Sequence, residues 1–166
     1  VYGARPLTRL EAALFVIVAA VLAAVLLGRL SRYAEEAEKA AMEATVLRVQ
    51  SALHLRLALA ALKGERIDVE RWPRGNPFEL AGATPGNYLG ALLAPDLASL
   101  QPGNWLFDQG RGELVYLPKR TRGFSGGSDP VPAVRYRLDA AAPVGASFAE
   151  ARLMVVGTYI WSPHPE

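Results

Sequence analysis

Few side chains in this sequence are placed to do covalent chemistry. Neither His54 nor His164, the two histidines, has a ligand-like neighbour at metal-binding spacing. There is no cysteine, which excludes a disulfide framework and a thiolate metal site. No Ser/His/Asp, Cys/His or paired-carboxylate constellation stands out, so the chain reads as a non-enzyme. The glycine-rich stretch "GFSGGSD" at 123–129 lacks the lysine of a phosphate-binding loop and precedes no helical pattern, so it reads as a plain loop. One carboxylate demands an explanation. In "LTRLEAALFVIVAAVLAAVLLGRL", residues 7–30, positions 12–28 carry no charge, and Glu11 sits directly against them. A carboxylate in lipid costs about 2.5–3.5 kcal/mol at the centre of a membrane helix and less near its edge.

A local reason for Glu11 exists. Thr8-Arg9-Leu10-Glu11 is a T-x-x-E capping box with Thr8 as N-cap, and an acidic group also favours the positive end of a helix. The apolar run that follows is near the lower limit for crossing a bilayer, about 17–25 residues. Arg5 and Arg9 before it could serve a cleavable signal, but no turn or linker follows the run. The helical pattern continues instead, and the segment is expected to be retained, in a chain whose initiator Met has been removed.

From residue 30 to 62 there is no proline. Met42, Val46, Val49, Leu53, Leu57 and Ala60 recur every three or four positions and define an apolar stripe. Arg32 with Glu36, and Glu35 with Lys39, form i,i+4 pairs expected on the exposed side. The spacing predicts one helix from about residue 8 to 62, roughly 80 Å long. Its first half is apolar all round, its second half is amphipathic, and Lys63-Gly64 ends it.

Residues 65–104 are rich in proline and glycine, with short helical turns expected near 78–80 and 88–93. Strands follow. "NWLFD" and "GELVYLP" flank "QGRG" as a hairpin. "AVRYRLD" alternates, with Val134, Tyr136 and Leu138 on one face and Arg135, Arg137 and Asp139 on the other. "ARLMVVGTYIW" at 151–161 reads as one buried strand. Trp105, Tyr116, Tyr136, Tyr159 and Trp161 are expected in the core or on a sheet face. The fold class is therefore α+β: a long N-terminal helix packed on a small antiparallel sheet of about four strands. Residues 1–29 form an N-terminal head and membrane helix, and 30–166 a globular unit. The formal charge is +2, which gives no ground for a nucleic-acid partner. The basic run Lys119-Arg120-Thr121-Arg122 reads as a solvated loop.

These elements together resemble the type IV pilin-like superfamily, the pilins and the pseudopilins of type II secretion, over the whole chain. The N-terminal stretch is similar to that family's pattern of Thr, two further residues and Glu opening an apolar helix. "NPFEL", "PGNYLG", "PGNWLFD" and "GELVYLP" look like pieces of a pseudopilin-type globular domain. With Leu7 taken as equivalent to the first mature residue, Glu11 falls at the family's conserved carboxylate. Gly28 falls where many pilins carry a helix-breaking proline. One departure is plain: the family is cut after a glycine, and here Pro6 precedes Leu7, the nearest glycine being Gly3.

The resemblance implies a structural subunit of a helical filament, first a type II secretion pseudopilus and alternatively a type IV pilus. The lack of cysteine favours the former. It implies copies of the same chain, minor pilin-like subunits and an inner-membrane platform as partners, with membrane lipid as the environment before assembly. The head would lie in the periplasm. Glu11 would meet a neighbouring subunit, with Leu7, Thr8 and Arg9 in the same layer and Arg9 of a neighbour as counter-charge. Gly28 would be where the helix loosens. No cofactor is expected, except that calcium near Asp129 is implied by some pseudopilins, and one carboxylate is few for calcium's roughly six to eight oxygens. A reading from another class is a single-pass anchored periplasmic binding or sensory domain.

Overall fold

The structure is a computed structural model that describes residues 8–65, 69–127, 129–141 and 150–162. Leu7, the segment before it and His164 lie outside the described residues.

One helix, α1 (Arg9–Lys63), runs unbroken for 55 residues. Its start is the capping box: the Thr8 side chain accepts from the Glu11 N–H, and the Glu11 carboxylate accepts from the Thr8 N–H. Its end is Gly64 at φ 69°, a left-handed conformation that glycine adopts without a Cβ penalty. There the N–H of Glu65 reaches Ala60 O and that of Gly64 reaches Ala61 O, which satisfies two of the last carbonyls. Alanine and leucine, the strongest helix formers, fill most of the length.

The expected stripe is the buried one. Met42, Val49, Leu53, Leu57 and Ala60 are buried and Val46 is packed against them. They lie on a five-stranded sheet of β1 (Tyr88–Leu92), β2 (Trp105–Asp108), β3 (Glu113–Tyr116), β5 (Val134–Ala141) and β6 (Glu150–Val156), in the order β1-β2-β3-β5-β6. The short helix α2 (Pro77–Ala81) inserts Phe78, fully buried, edge-on against Trp105. The sheet's helix-facing side carries Trp105, Leu114, Tyr116, Val134, Tyr136 and Leu138. Its far side buries Leu106, Val115 and Leu117 under Leu97 and its neighbours, so both faces are covered.

The α+β class holds, and three details differ from the sequence reading. First, the main sheet has five strands rather than about four, and it is mixed. β1 runs parallel to β2, pairing Tyr88 with Trp105, where a helical turn was expected. Gly90 at φ 106° is the reason: that backbone lies outside the helical region. Second, the buried strand expected over 151–161 is two strands. Gly157 at φ 80° breaks it, and β7 (Tyr159–Trp161) leaves the main sheet. Third, the loop expected at 123–129 contains β4 (Phe124–Gly126), which pairs antiparallel with β7 in a separate two-stranded sheet. A Cβ at Gly126 would lie 2.9 Å from Thr158 O, so only glycine admits that pairing. The hairpin across "QGRG" is as expected, with Asp108 opposite Glu113.

Two measurements check this packing. A fragment beginning near residue 30 keeps the buried stripe and every strand, and is expected to be soluble with a cooperative thermal transition. Within it, Leu53→Ala should cost about 2–5 kcal/mol in urea titration, because Leu53 has no exposed surface. A loss under about 0.5 kcal/mol would mean that the helix does not rest on the sheet through Leu53.

Candidate functional site

The described chain offers three places where polar groups are organised: the start of α1, its junction with the head, and the far face of the sheet.

At the start of α1, Thr8, Arg9 and Glu11 are all exposed. Glu11 Oε2 accepts from the Thr8 N–H at 2.8 Å, and Thr8 Oγ1 accepts from the Glu11 N–H at 3.3 Å. In the free chain, then, the carboxylate is an N-cap partner with its second oxygen open to other donors. The helix that follows includes an 18-residue stretch apolar enough to cross a membrane, none of it buried within the protein. Leu14, Phe15, Val18, Leu22 and Leu26 are among its exposed large side chains. Gly28 lies inside continuous helix, and a Cβ there would meet nothing within 4 Å. No close packing within the chain requires a glycine at that position.

At the junction, two carboxylates of α1 take hold of the head. Glu35 is 3% exposed. Its Oε1 accepts from Trp161 Nε1 at 2.9 Å and from the Gly123 N–H at 3.0 Å. One turn on, Glu38 Oε1 accepts from Tyr116 Oη at 3.0 Å and from the Lys119 N–H at 2.6 Å, and Glu38 Oε2 faces Arg120 at 3.4 Å. Lys39 Nζ donates to Trp161 O at 2.9 Å. Burial, and then the negative charge of Glu38, push the Tyr116 hydroxyl well above its ordinary pKa, so it remains a donor. The expected exposed pair of Glu35 with Lys39 is thus corrected: both side chains turn toward β7, and Glu35 is buried there. The fold brings Trp161 to that helix face from 126 residues away, a separation the local charge spacing does not encode. The run 119–122 stays largely solvated but docks through Lys119 and Arg120. Further down, His54 Nε2 donates to Ala151 O at 2.7 Å, which makes it a structural contact to β6.

On the far face, Arg135 gathers three carboxylates. It donates to Asp129 through Nε (2.8 Å) and Nη2 (2.9 Å), and through Nη1 to Glu113 (3.1 Å) and Asp108 (3.3 Å). Arg137 takes the other oxygen of Glu113. Strand register explains the cluster: Glu113 lies opposite Arg137 and diagonal to Arg135. The sequence places Arg135 on the polar face of β5, and the structure buries it there. These groups line an open cleft of about 440 Å³ with Arg111, Gly127 and Thr158. Calcium does not fit the arrangement. The carboxylates converge on a guanidinium, which holds the central position with a fixed set of donors, and both oxygens of Asp129 are engaged. Among the described residues no group of three metal-ligating side chains could hold an ion.

Comparison with family models, with curated proteins and with solved structures returns no match.

Two predictions follow from these contacts. Glu35→Ala leaves the Trp161 indole and the Gly123 N–H without their acceptor and should lower head stability by about 1.5–3 kcal/mol, with a change in Trp161 emission. Stability equal to wild type would remove Glu35 from the clamp. The second concerns acid. The hydrogen bonds from Arg135 hold the Asp129 carboxyl below its ordinary value. Such a group stabilises the fold above its unfolded pKa of about 4, and the gain is lost as pH falls through the lowered folded value. The stability difference between wild type and Asp129→Asn should therefore be constant near neutral pH and shrink below about pH 4. A difference that stays constant through the acid range would contradict the ion pair.

Proposed function

We propose that the chain is a structural subunit of a pilin-like helical filament, in the first place a type II secretion pseudopilus and alternatively a type IV pilus. The observation that carries the reading is the unbroken passage of α1 from a fully exposed apolar half into a half clamped to the head. An anchor that merely tethers a domain needs no stiffness. A subunit drawn from a bilayer and stacked must transmit its position from the apolar half to the head, and a helix without a linker does so. Apolar surface then passes from lipid to neighbouring helices, and the many exposed alanines allow close helix approach. Before assembly the subunit would sit in the inner membrane with its head in the periplasm. Copies of itself, minor pilin-like subunits and an assembly platform would be its partners.

Glu11 has a defined part in this reading. Within a filament core water is scarce, so an ionised carboxylate needs a donor or a cation nearby. Arg9 of an adjacent copy enters the same layer of helix ends, two residues from Glu11. The capping geometry leaves one Glu11 oxygen available to it.

Thin helical filaments in negative-stain images of sheared cells or overproduced protein are the expected result. Detergent-soluble monomers alone would favour an anchored binding or sensory domain instead. Glu11→Ala should leave the membrane-inserted subunit at wild-type level, costing only the cap, about 1 kcal/mol, and should abolish or shorten filaments. Glu11→Gln, which still caps, should fall between. Normal assembly of Glu11→Ala would reduce Glu11 to a cap.

A further inference from the structure

The second half of α1 is apolar on two sides. One side rests on the sheet. The opposite side carries Leu30, Tyr33, Leu47, Leu55, Leu59 and Leu62, all exposed, with exposed alanines between 37 and 44. At 100° per residue these positions lie within roughly 120° of one another on the outward side of the helix. Arg48 is the one charge among them. Lipid does not cover this side in the membrane-inserted subunit. A bilayer core of about 30 Å takes about 20 residues, which the run at 12–28 already fills. From residue 30 onward the stripe stands in water, and exposed apolar surface of this extent marks an interaction site.

The charges flanking the stripe are segregated by sign. Glu36 and Glu43 lie on one side, Arg56 and Lys63 on the other, about 140–180° away around the helix. Arg56 bonds the Leu80 carbonyl through Nη1 only, and Lys63 faces Glu65 across an exposed 4.0 Å. Both keep donors for a further partner. Arg56 and Lys63 also rim a groove of about 450 Å³ floored by Ala52, Leu55 and Leu59. Two parallel copies of one helix, related mainly by translation, face each other with opposite sides. The acidic side of one then meets the basic side of the next. The spacing along the chain fixes the stagger: Arg56 follows Glu36, and Lys63 follows Glu43, each by 20 residues, or about 30 Å.

Resting on the filament reading above, we infer that the occupant of this outward face is a second copy of the chain, parallel and displaced by about 20 residues. Glu36 and Glu43 of one copy pair with Arg56 and Lys63 of the next. At this stagger the apolar run of one copy, residues 10–28, comes level with residues 30–48 of the other. The segment that leaves lipid thus covers the stripe that lipid never covered. The contact is heterologous, so repeating it builds an open helical assembly rather than a closed dimer.

The lack of cysteine makes the register directly measurable. The full chain carrying Glu36→Cys with Arg56→Cys retains the Glu43–Lys63 pair. Treated in membranes and in sheared filaments with a short bis-maleimide, it should give a ladder of multimers beyond the dimer. Glu36→Cys with Arg48→Cys, at the wrong spacing, should give several-fold less. In parallel, Glu43→Lys and Lys63→Glu should each abolish filaments, and the two together should restore them. Filaments that form without cross-linking above the control, or single reversals that assemble normally, would overturn the register and leave the filament reading standing. Absence of both filaments and ladder would overturn the filament reading, and the register with it.

Discussion

A carboxylate removed from water must be met by donors, and much of this molecule follows from where it meets that demand on α1. Glu35 is buried with no cation on it; the Trp161 indole and the Gly123 amide supply its hydrogen bonds. Those two donors belong to the small β4–β7 sheet, so satisfying one helix side chain fixes where the last strand lies. Trp161 is buried and stacked near Tyr116, and Tyr116 donates to Glu38. Helix, main sheet and accessory sheet are therefore joined at one turn of α1. Breaking the clamp by removing an acceptor would cost more than the bonds themselves contribute, because the donors would remain buried.

The position of that turn matters. It lies seven residues past Gly28, where the apolar run ends, so the head is fixed to the helix almost as soon as the helix leaves the apolar half. Below it the core stripe from Met42 to Ala60 extends the attachment along the sheet. A force or displacement applied to the apolar half is carried into the head by continuous helical hydrogen bonding rather than by a loop. The Arg135 cluster stiffens the opposite face in a different way. One guanidinium ties the hairpin end, at Asp108 and Glu113, to the segment containing Asp129. Such a cluster keeps its place only while every member is answered, and no buried side-chain polar atom among the described residues lacks a partner.

Periodicity and caps made the long helix legible. Apolar spacing of three and four, the T-x-x-E box and the Lys63-Gly64 stop are local signals, and each operates within a few residues of chain. The same holds for the 105–116 hairpin and for the alternation of β5. The buried stripe, the aromatic core positions and the two ends of α1 were therefore open to reading from the sequence. The capping role of Glu11 was equally legible, because all its partners lie within three residues.

What the sequence did not contain in readable form is what depends on distant partners. Glu35 and Lys39 have the spacing of an exposed ion pair, and nothing nearby says that Trp161 would arrive to bury Glu35. Arg135 sits at a polar position of an alternating strand; its burial depends on Asp129 folding back and on the hairpin register. The parallel placement of β1 and the split of the last strand into β6 and β7 depend on Gly90 and Gly157 adopting positive φ. A glycine in sequence permits that conformation without requiring it. The sequence by itself determined the continuous helix, its apolar and amphipathic halves and the α+β class, because short-range hydrogen bonding and hydrophobic period decide them. Tertiary structure alone decided which charges are buried and which strand belongs to which sheet, because those follow from long-range packing.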